Sequence, residues 1–172
     1  AWRRHLPTAL ALAALASLVL ALAKPHATVA LPVQRASIVL VTDHSRSMEA
    51  TDVRPTRLEA AKRAARTFID QLPHAVRLGA VAYSDVPDAV QAPSSDHDEA
   101  SRIVAEQAAD GSTATGEALQ VAIDQLRRER REGKRPPAAI VLLSDGKTTS
   151  GRDPVEVARE AVQRARSAGL AA

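Results

Sequence analysis

The sequence predicts an α/β fold: a doubly wound, mostly parallel sheet flanked by helices and preceded by one hydrophobic helix. Three observations carry that expectation. Residues 36–42 (ASIVLVT), 76–84 (VRLGAVAYS) and 138–143 (AAIVLL) are short, largely apolar runs with little polar alternation, as suits strands buried on both faces. Segments with helical signals alternate with them, the pattern of a parallel sheet with crossover helices. Polar loops follow the runs at 43–47 and 144–146, at the sheet edge where open α/β sheets bind ligands.

Each element has its own local reason. Residues 6–23 (LPTALALAALASLVLALA) carry no charge and only Thr8 and Ser17 as polar interruptions. As a helix they span about 27 Å, close to the roughly 30 Å of a bilayer core. Arg3, Arg4 and His5 precede the run, while Lys24 and His26 follow it. The positive-inside rule then sets the N-terminus in the cytoplasm and everything after Lys24 outside. Ala21-Leu22-Ala23 also suits signal-peptide cleavage, against which Pro25 weighs; a single-pass anchor is the preferred reading, and both readings export the rest. Residues 24–35 (KPHATVALPVQR) have two prolines and no helical period, and form a linker.

After the strand at 36–42 comes a polar loop, 43–54. Thr56 and Glu59 make a capping box for a helix at 57–72, bounded by Pro55 and Pro73. A second strand spans 76–84, and 89–92 is a short third. Asp96 and Glu99 repeat the capping pattern before a helix ending near Ala109. The turn 110–113 (DGST) leads into a helix at 115–131, where Thr113 or Thr115 serves as cap. Gly133, Pro136 and Pro137 mark the following turn; after the strand at 138–143, Pro154 opens a last helix to about Ser167. The domain so outlined covers 36–172. The first residue is Ala rather than Met. Gly169-Leu170 at the end has the form of a helix C-cap leading into another strand, so a longer parent protein is expected.

Composition removes several function classes. Of 172 residues 36 are Ala and three are aromatic, so the core is aliphatic and the stacking platforms of single-strand readers are missing. The absence of cysteine excludes thiolate zinc sites, thiol catalysis and disulfides. A formal net charge of +3 is too small to argue for a nucleic-acid partner. Arg127, Arg128, Arg130, Arg131, Lys134 and Arg135 form a basic run at a helix C-terminus, where cations suit the macrodipole and solvent. The histidines at 5, 26, 44, 74 and 97 lack ligand spacing. Gly146-Lys147-Thr148 lacks the upstream glycine of a phosphate loop and 111–116 lacks its lysine, so no nucleotide is expected. Tyr83, Phe68 and Met48 read as packing residues.

The polar loops carry the chemistry. Asp43-His44-Ser45-Arg46-Ser47, Gly111-Ser112-Thr113 and Ser144-Asp145-Gly146 offer carboxylates and hydroxyls, all oxygen donors. Such a set suits the hard cations Mg²⁺ or Mn²⁺ before zinc or copper. In an extended loop the alternate residues 43, 45 and 47 point one way.

Asp43-x-Ser45-x-Ser47, a threonine after a glycine turn and an Asp-Gly after a later buried strand resemble the metal-ion-dependent adhesion site of von Willebrand factor type A domains. The flanking stretches 43–62 (DHSRSMEATDVRPTRLEAAK) and 111–119 (GSTATGEAL) are similar to bacterial membrane-anchored proteins of the aerotolerance (Bat-type) group, in which a hydrophobic helix directly precedes the domain. The resemblance implies that Ser45 and Ser47 bind the metal through their hydroxyls and that Thr113 supplies a third. It places Asp43 and Asp145 behind them, one or both acting through coordinated water. Neutral hydroxyls and outer carboxylates under-compensate the ion, so the resemblance implies a protein partner that offers a carboxylate. The implied protein is a non-enzymatic recognition domain on the outer side of the bacterial cell membrane. It also implies further strands after residue 172, without which 138–143 is an unpaired apolar edge. Two rivals stand beside it. A Mg²⁺-dependent phosphotransferase or hydrolase needs a second carboxylate two residues after Asp43, where this chain has Ser45. The other is a structural remnant that binds nothing.

Overall fold

The computed structural model describes His5 and residues 36–129, 136–146 and 148–167. The chain divides into two units, Ala1–Leu31 and Pro32–Ala172, and every described residue except His5 belongs to the second. The anchor expected at 6–23 and the linker at 24–35 lie outside the described residues. So do four of the six cations of the basic run; Arg127 and Arg128 are exposed at their helix end. Among the described residues no helix is long and apolar enough to cross a membrane.

The elements run β1 (Ser37–Asp43), a 3₁₀ turn (Arg46–Glu49), α1 (Arg57–Gln71), β2 (Arg77–Tyr83), β3 (Pro87–Ser94), α2 (Asp98–Glu106), α3 (Thr115–Arg128), β4 (Ala138–Leu143) and α4 (Pro154–Ser167). The sheet has the order β3-β2-β1-β4. β1 pairs in parallel with β2 and with β4, and β3 returns antiparallel to β2. This is the expected α/β architecture, a mixed sheet of Rossmann-like form flanked by helices.

Side-chain alternation along β1 divides the core. Leu40, with Leu78 and Ala80 of β2, packs on Ala65 and Ile69 of α1 and on Ala100 and Val104 of α2. Val39 and Val41, with Val81 and Tyr83, face the other way against Ala118 and Ala122 of α3. Small alanines let the helices approach closely, which is how an Ala-rich, aromatic-poor sequence fills its interior. Met48 is buried, and Phe68 is partly buried against the first layer, both as packing residues.

Several boundaries differ from those expected, each for a local reason. β3 spans eight residues rather than 89–92. Pro87 and Pro93 are tolerated because an edge strand has fewer ladder bonds to donate. The second capping box does not form. His97 is the N-cap of α2, and Asp96 instead accepts from the Asp98 backbone N–H at 3.0 Å. α2 stops at Glu106 because the next residues turn to the site loops: the Ala108 carbonyl meets His44 Nδ1 at 3.0 Å, and the Asp110 N–H donates to the His44 carbonyl at 2.9 Å. Neither Thr113 nor Thr115 caps α3; Ala114 is the N-cap, with no side-chain bond. That helix ends at Arg128, where the Glu129 carboxylate turns back to pair with Arg77. The capping box at α1 is half made, Thr56 Oγ1 accepting from the Glu59 N–H at 3.2 Å. No strand pairs with the outer side of β4 among the described residues, and Leu142 is 40% exposed.

Candidate functional site

The strand order brings two loops together. From the C-terminal end of β1 the chain leaves for α1, in the first core layer, whereas from β4 it leaves for α4, which packs on α3 of the second layer. Adjacent parallel strands whose connections diverge to opposite faces open a crevice at their carboxyl ends, a topological switch point. Register places Thr42 of β1 beside Leu143 of β4. Asp43 and Ser144 are the next residues, and both reach this crevice.

Asp43 is its floor. The side chain is almost fully buried, and its two oxygens are engaged differently: Oδ1 accepts from the Ser45 N–H at 2.8 Å, and Oδ2 accepts from Ser144 Oγ at 2.8 Å. The first bond bends the chain into the 3₁₀ turn, a local side-chain-to-backbone motif favoured by Asp. It sets Ser45 Oγ 3.0 Å from Ser47 Oγ. Ser45 is buried and Ser47 half-buried.

The second loop is fastened to the first by backbone bonds. Arg46 N–H donates to the Gly111 carbonyl at 3.1 Å, beside the Asp110–His44 bond. Gly111 has φ +72°, and a Cβ there would collide with the Asp85 carboxylate. Asp85 in turn accepts from both the backbone and the hydroxyl of Ser112, which hold its carboxyl below the usual value. Thr113 follows, buried, with its carbonyl accepting from Thr149 at 3.0 Å and Ser150 at 3.2 Å. Its own N–H donates to Thr149 Oγ1 at 2.9 Å. The turn of Thr113 is thereby tied to the segment after β4.

Asp145 lies at the mouth, its side chain 5% exposed, in an ion pair of 2.8 Å with Arg57 Nη1. The same guanidinium forks onto Asp52, Nε to Oδ1 at 2.8 Å and Nη2 to Oδ2 at 2.7 Å. The hydrogen bonds and charge of Arg57 hold the Asp52 carboxyl below its ordinary range, and Asp52 raises the guanidinium in return. Next to this pair is a cavity of about 390 Å³, lined by Met48, Val53, Arg57, Ala60, Leu143 and Asp145 among others. A larger groove of about 670 Å³ runs between β4 and α4, past Leu142, Val155 and Val162.

All five residues singled out from the sequence, Asp43, Ser45, Ser47, Thr113 and Asp145, therefore stand on three loops that are bonded to one another. Three further residues join them that sequence reasoning did not assign. Tyr83 is more than packing: its hydroxyl meets Thr115 Oγ1 at 3.1 Å, and burial pushes its pKa up to about 12. His44 is buried between the Ala108 carbonyl and the Asp88 carboxylate, whose Oδ2 lies 2.9 Å from Nε2. Arg57 is the third. Among the described residues, no cluster of three or more His, Asp or Glu side chains is arranged to hold a metal; the donors here are mainly hydroxyls.

Known proteins share this fold. A family model described as von Willebrand factor type A domain matches residues 38–147. A UPF0353 protein of Mycolicibacterium paratuberculosis is 39% identical over 172 residues, covering 97% of this chain and 52% of that protein. The chain thus spans about half the length of the curated relatives it matches. Among solved structures, the conserved hypothetical protein BatB from Bacteroides thetaiotaomicron aligns with a TM-score of 0.63 at 28% identity, over 75% of this chain and 62% of that one. An aerotolerance-related membrane protein from Bacteroides fragilis aligns with a TM-score of 0.60 at 25% identity, over 78% and 64%.

Proposed function

The chain belongs to the von Willebrand factor type A domain family, and we propose that it is a metal-dependent protein-recognition domain carried on the outer face of a bacterial cell membrane. The observation that carries this reading is the pair of hydroxyls above Asp43. Adjacent oxygens of an octahedral Mg²⁺, with bonds of about 2.1 Å, lie about 3 Å apart, and Ser45 Oγ and Ser47 Oγ are 3.0 Å apart. Thr113 would supply a further hydroxyl. Asp43 and Asp145 would compensate charge from behind, through water. When bound, Mg²⁺ or Mn²⁺ supplies an open coordination position that attracts a carboxylate.

The chain's own residues do the rest. Asp43 orients Ser45 through its backbone N–H and draws in Ser144, which fixes the β1 and β4 loops against each other. Asp43 is followed two residues on by Ser45 rather than by a second carboxylate, which favours a recognition role over that of an attacking nucleophile. Capture of an acidic residue from a partner protein is the activity this donor set supports. The apolar run at 6–23 behind Arg3 and Arg4 supports a membrane anchor, as does the similarity to a protein described as a membrane protein.

The test is a Mn²⁺ titration of the full 172-residue chain in mild detergent, wild type against Asp43→Ala, with circular dichroism on the same samples. Saturable binding by the wild type, lost in a folded Asp43→Ala variant, is the expected result. A folded wild type that binds no Mn²⁺ would overturn the metal reading.

A further inference from the structure

We propose that Arg57 is a built-in counter-cation of this site: its guanidinium neutralises Asp145 and competes electrostatically with the divalent ion, so that it sets the ion's affinity. The inference rests on the metal reading above and concerns a residue that this reading leaves unused. Arg57 is the first residue of α1 and reaches across the crevice to the loop after β4, 88 positions away in sequence. One arm, Nη1, bonds Asp145 Oδ2 at 2.8 Å; the other edge is held in a two-point grip by Asp52. The Arg57 side chain is 30% exposed and that of Asp145 5% exposed. A carboxylate so enclosed needs a positive neighbour, because an unpaired buried charge is costly.

The charges have a definite sign consequence. An ion held by Ser45, Ser47 and Thr113 gains attraction from Asp145 and is repelled by the guanidinium already bonded to it. Arg57 thus stabilises the metal-free loop and weakens cation binding, which leaves a bound ion under-compensated and more attractive to a partner's carboxylate. Asp52 moderates the effect by withdrawing part of the positive field. Arg57 is a positioning residue here, acting on the ion through Asp145.

The experiment measures Mn²⁺ affinity and metal-free thermal stability for the full chain and for Arg57→Gln, Arg57→Lys and Asp52→Asn. Gln keeps an N–H donor for Asp145 without the charge. Arg57→Gln is expected to bind Mn²⁺ more tightly, on the order of tenfold for the loss of one repelling unit charge screened by protein and solvent, while its metal-free melting temperature falls. Arg57→Lys is expected to stay near the wild-type affinity, and Asp52→Asn to bind more weakly. A purely structural Arg57 would lower the melting temperature and leave the affinity unchanged; that result, or weaker binding by a folded Arg57→Gln, would overturn the inference while the metal reading stood. A folded wild type that binds no Mn²⁺ would overturn both.

Discussion

Asp85 fastens the turn that carries Thr113, although it belongs to neither strand nor helix. It lies in the hairpin between β2 and β3 and accepts two bonds from Ser112, with Arg46 adding a favourable charge. These keep its carboxyl below its ordinary value of 3.8. A carboxyl depressed in the folded state contributes stability that is present above the unfolded value and is lost as pH falls through the folded one. Asp85→Asn should therefore be less stable than the wild type at neutral pH, with the difference shrinking below about pH 4. Urea unfolding at stepped pH checks this; an undiminished difference at low pH would assign the effect to packing. The five residues proposed to hold a metal could be singled out at this scale because Asp-x-Ser-x-Ser and the later Thr and Asp-Gly are local patterns in the chain. Arg57 and Tyr83 could not be, since each acts through a partner dozens of residues distant that only the folded sheet assembles; Ser144 was legible as a loop hydroxyl but not as a partner of Asp43. The same holds for His44, whose ring partners come from 88 and 108.

Elements were readable where burial is two-sided. β1 and β2 are almost wholly buried, so their apolar runs needed no alternation to be seen. β3 is longer than the expected 89–92 because it is an edge strand, where exposed positions alternate with half-buried ones and the apolar pattern is weak. Helix ends failed where tertiary bonds took the chain away, as at Gln107 and Glu129. The same tertiary demand explains Gly116, which a helix would not choose by propensity. A Cβ there would lie 2.1 Å from the Arg152 carbonyl oxygen, so the segment after β4 rests directly on the α3 backbone. That segment holds Thr113 through Thr149 and Ser150. Gly116→Ala should cost about 1–3 kcal/mol through overpacking, despite the better helix former. It should also speed amide exchange at Thr149 and Ser150 relative to the core of β1. Denaturant unfolding and native-state hydrogen exchange read these two effects separately, and a stabilised variant with unchanged exchange would contradict the contact.

At the scale of the molecule, the site is a junction between parts that the chain itself connects only at long range. Asp43 closes β1, Thr113 precedes α3 and Asp145 follows β4, while Arg57 begins α1. The apolar runs implied the parallel pairing, and the switch point follows from the order β3-β2-β1-β4, which local patterns do not encode. A cation gripped by these loops would link both core layers, and it would have no such site in the unfolded chain. Binding of this kind raises stability by mass action, about 2.7 kcal/mol when the free ion is a hundredfold above its Kd. The melting temperature of the full chain should therefore climb with the logarithm of Mg²⁺ or Mn²⁺ concentration once the Kd is passed. Asp43→Ala should show a flat response from a lower starting point, since it loses both the ion and the bonds to Ser45 and Ser144. Because Arg57 already neutralises part of the site in the metal-free protein, Arg57→Gln should start lower than the wild type yet rise from a lower metal concentration. Thermal unfolding across a metal series distinguishes the three curves. A wild-type curve as flat as that of Asp43→Ala would mean that the loops meet for structural reasons alone.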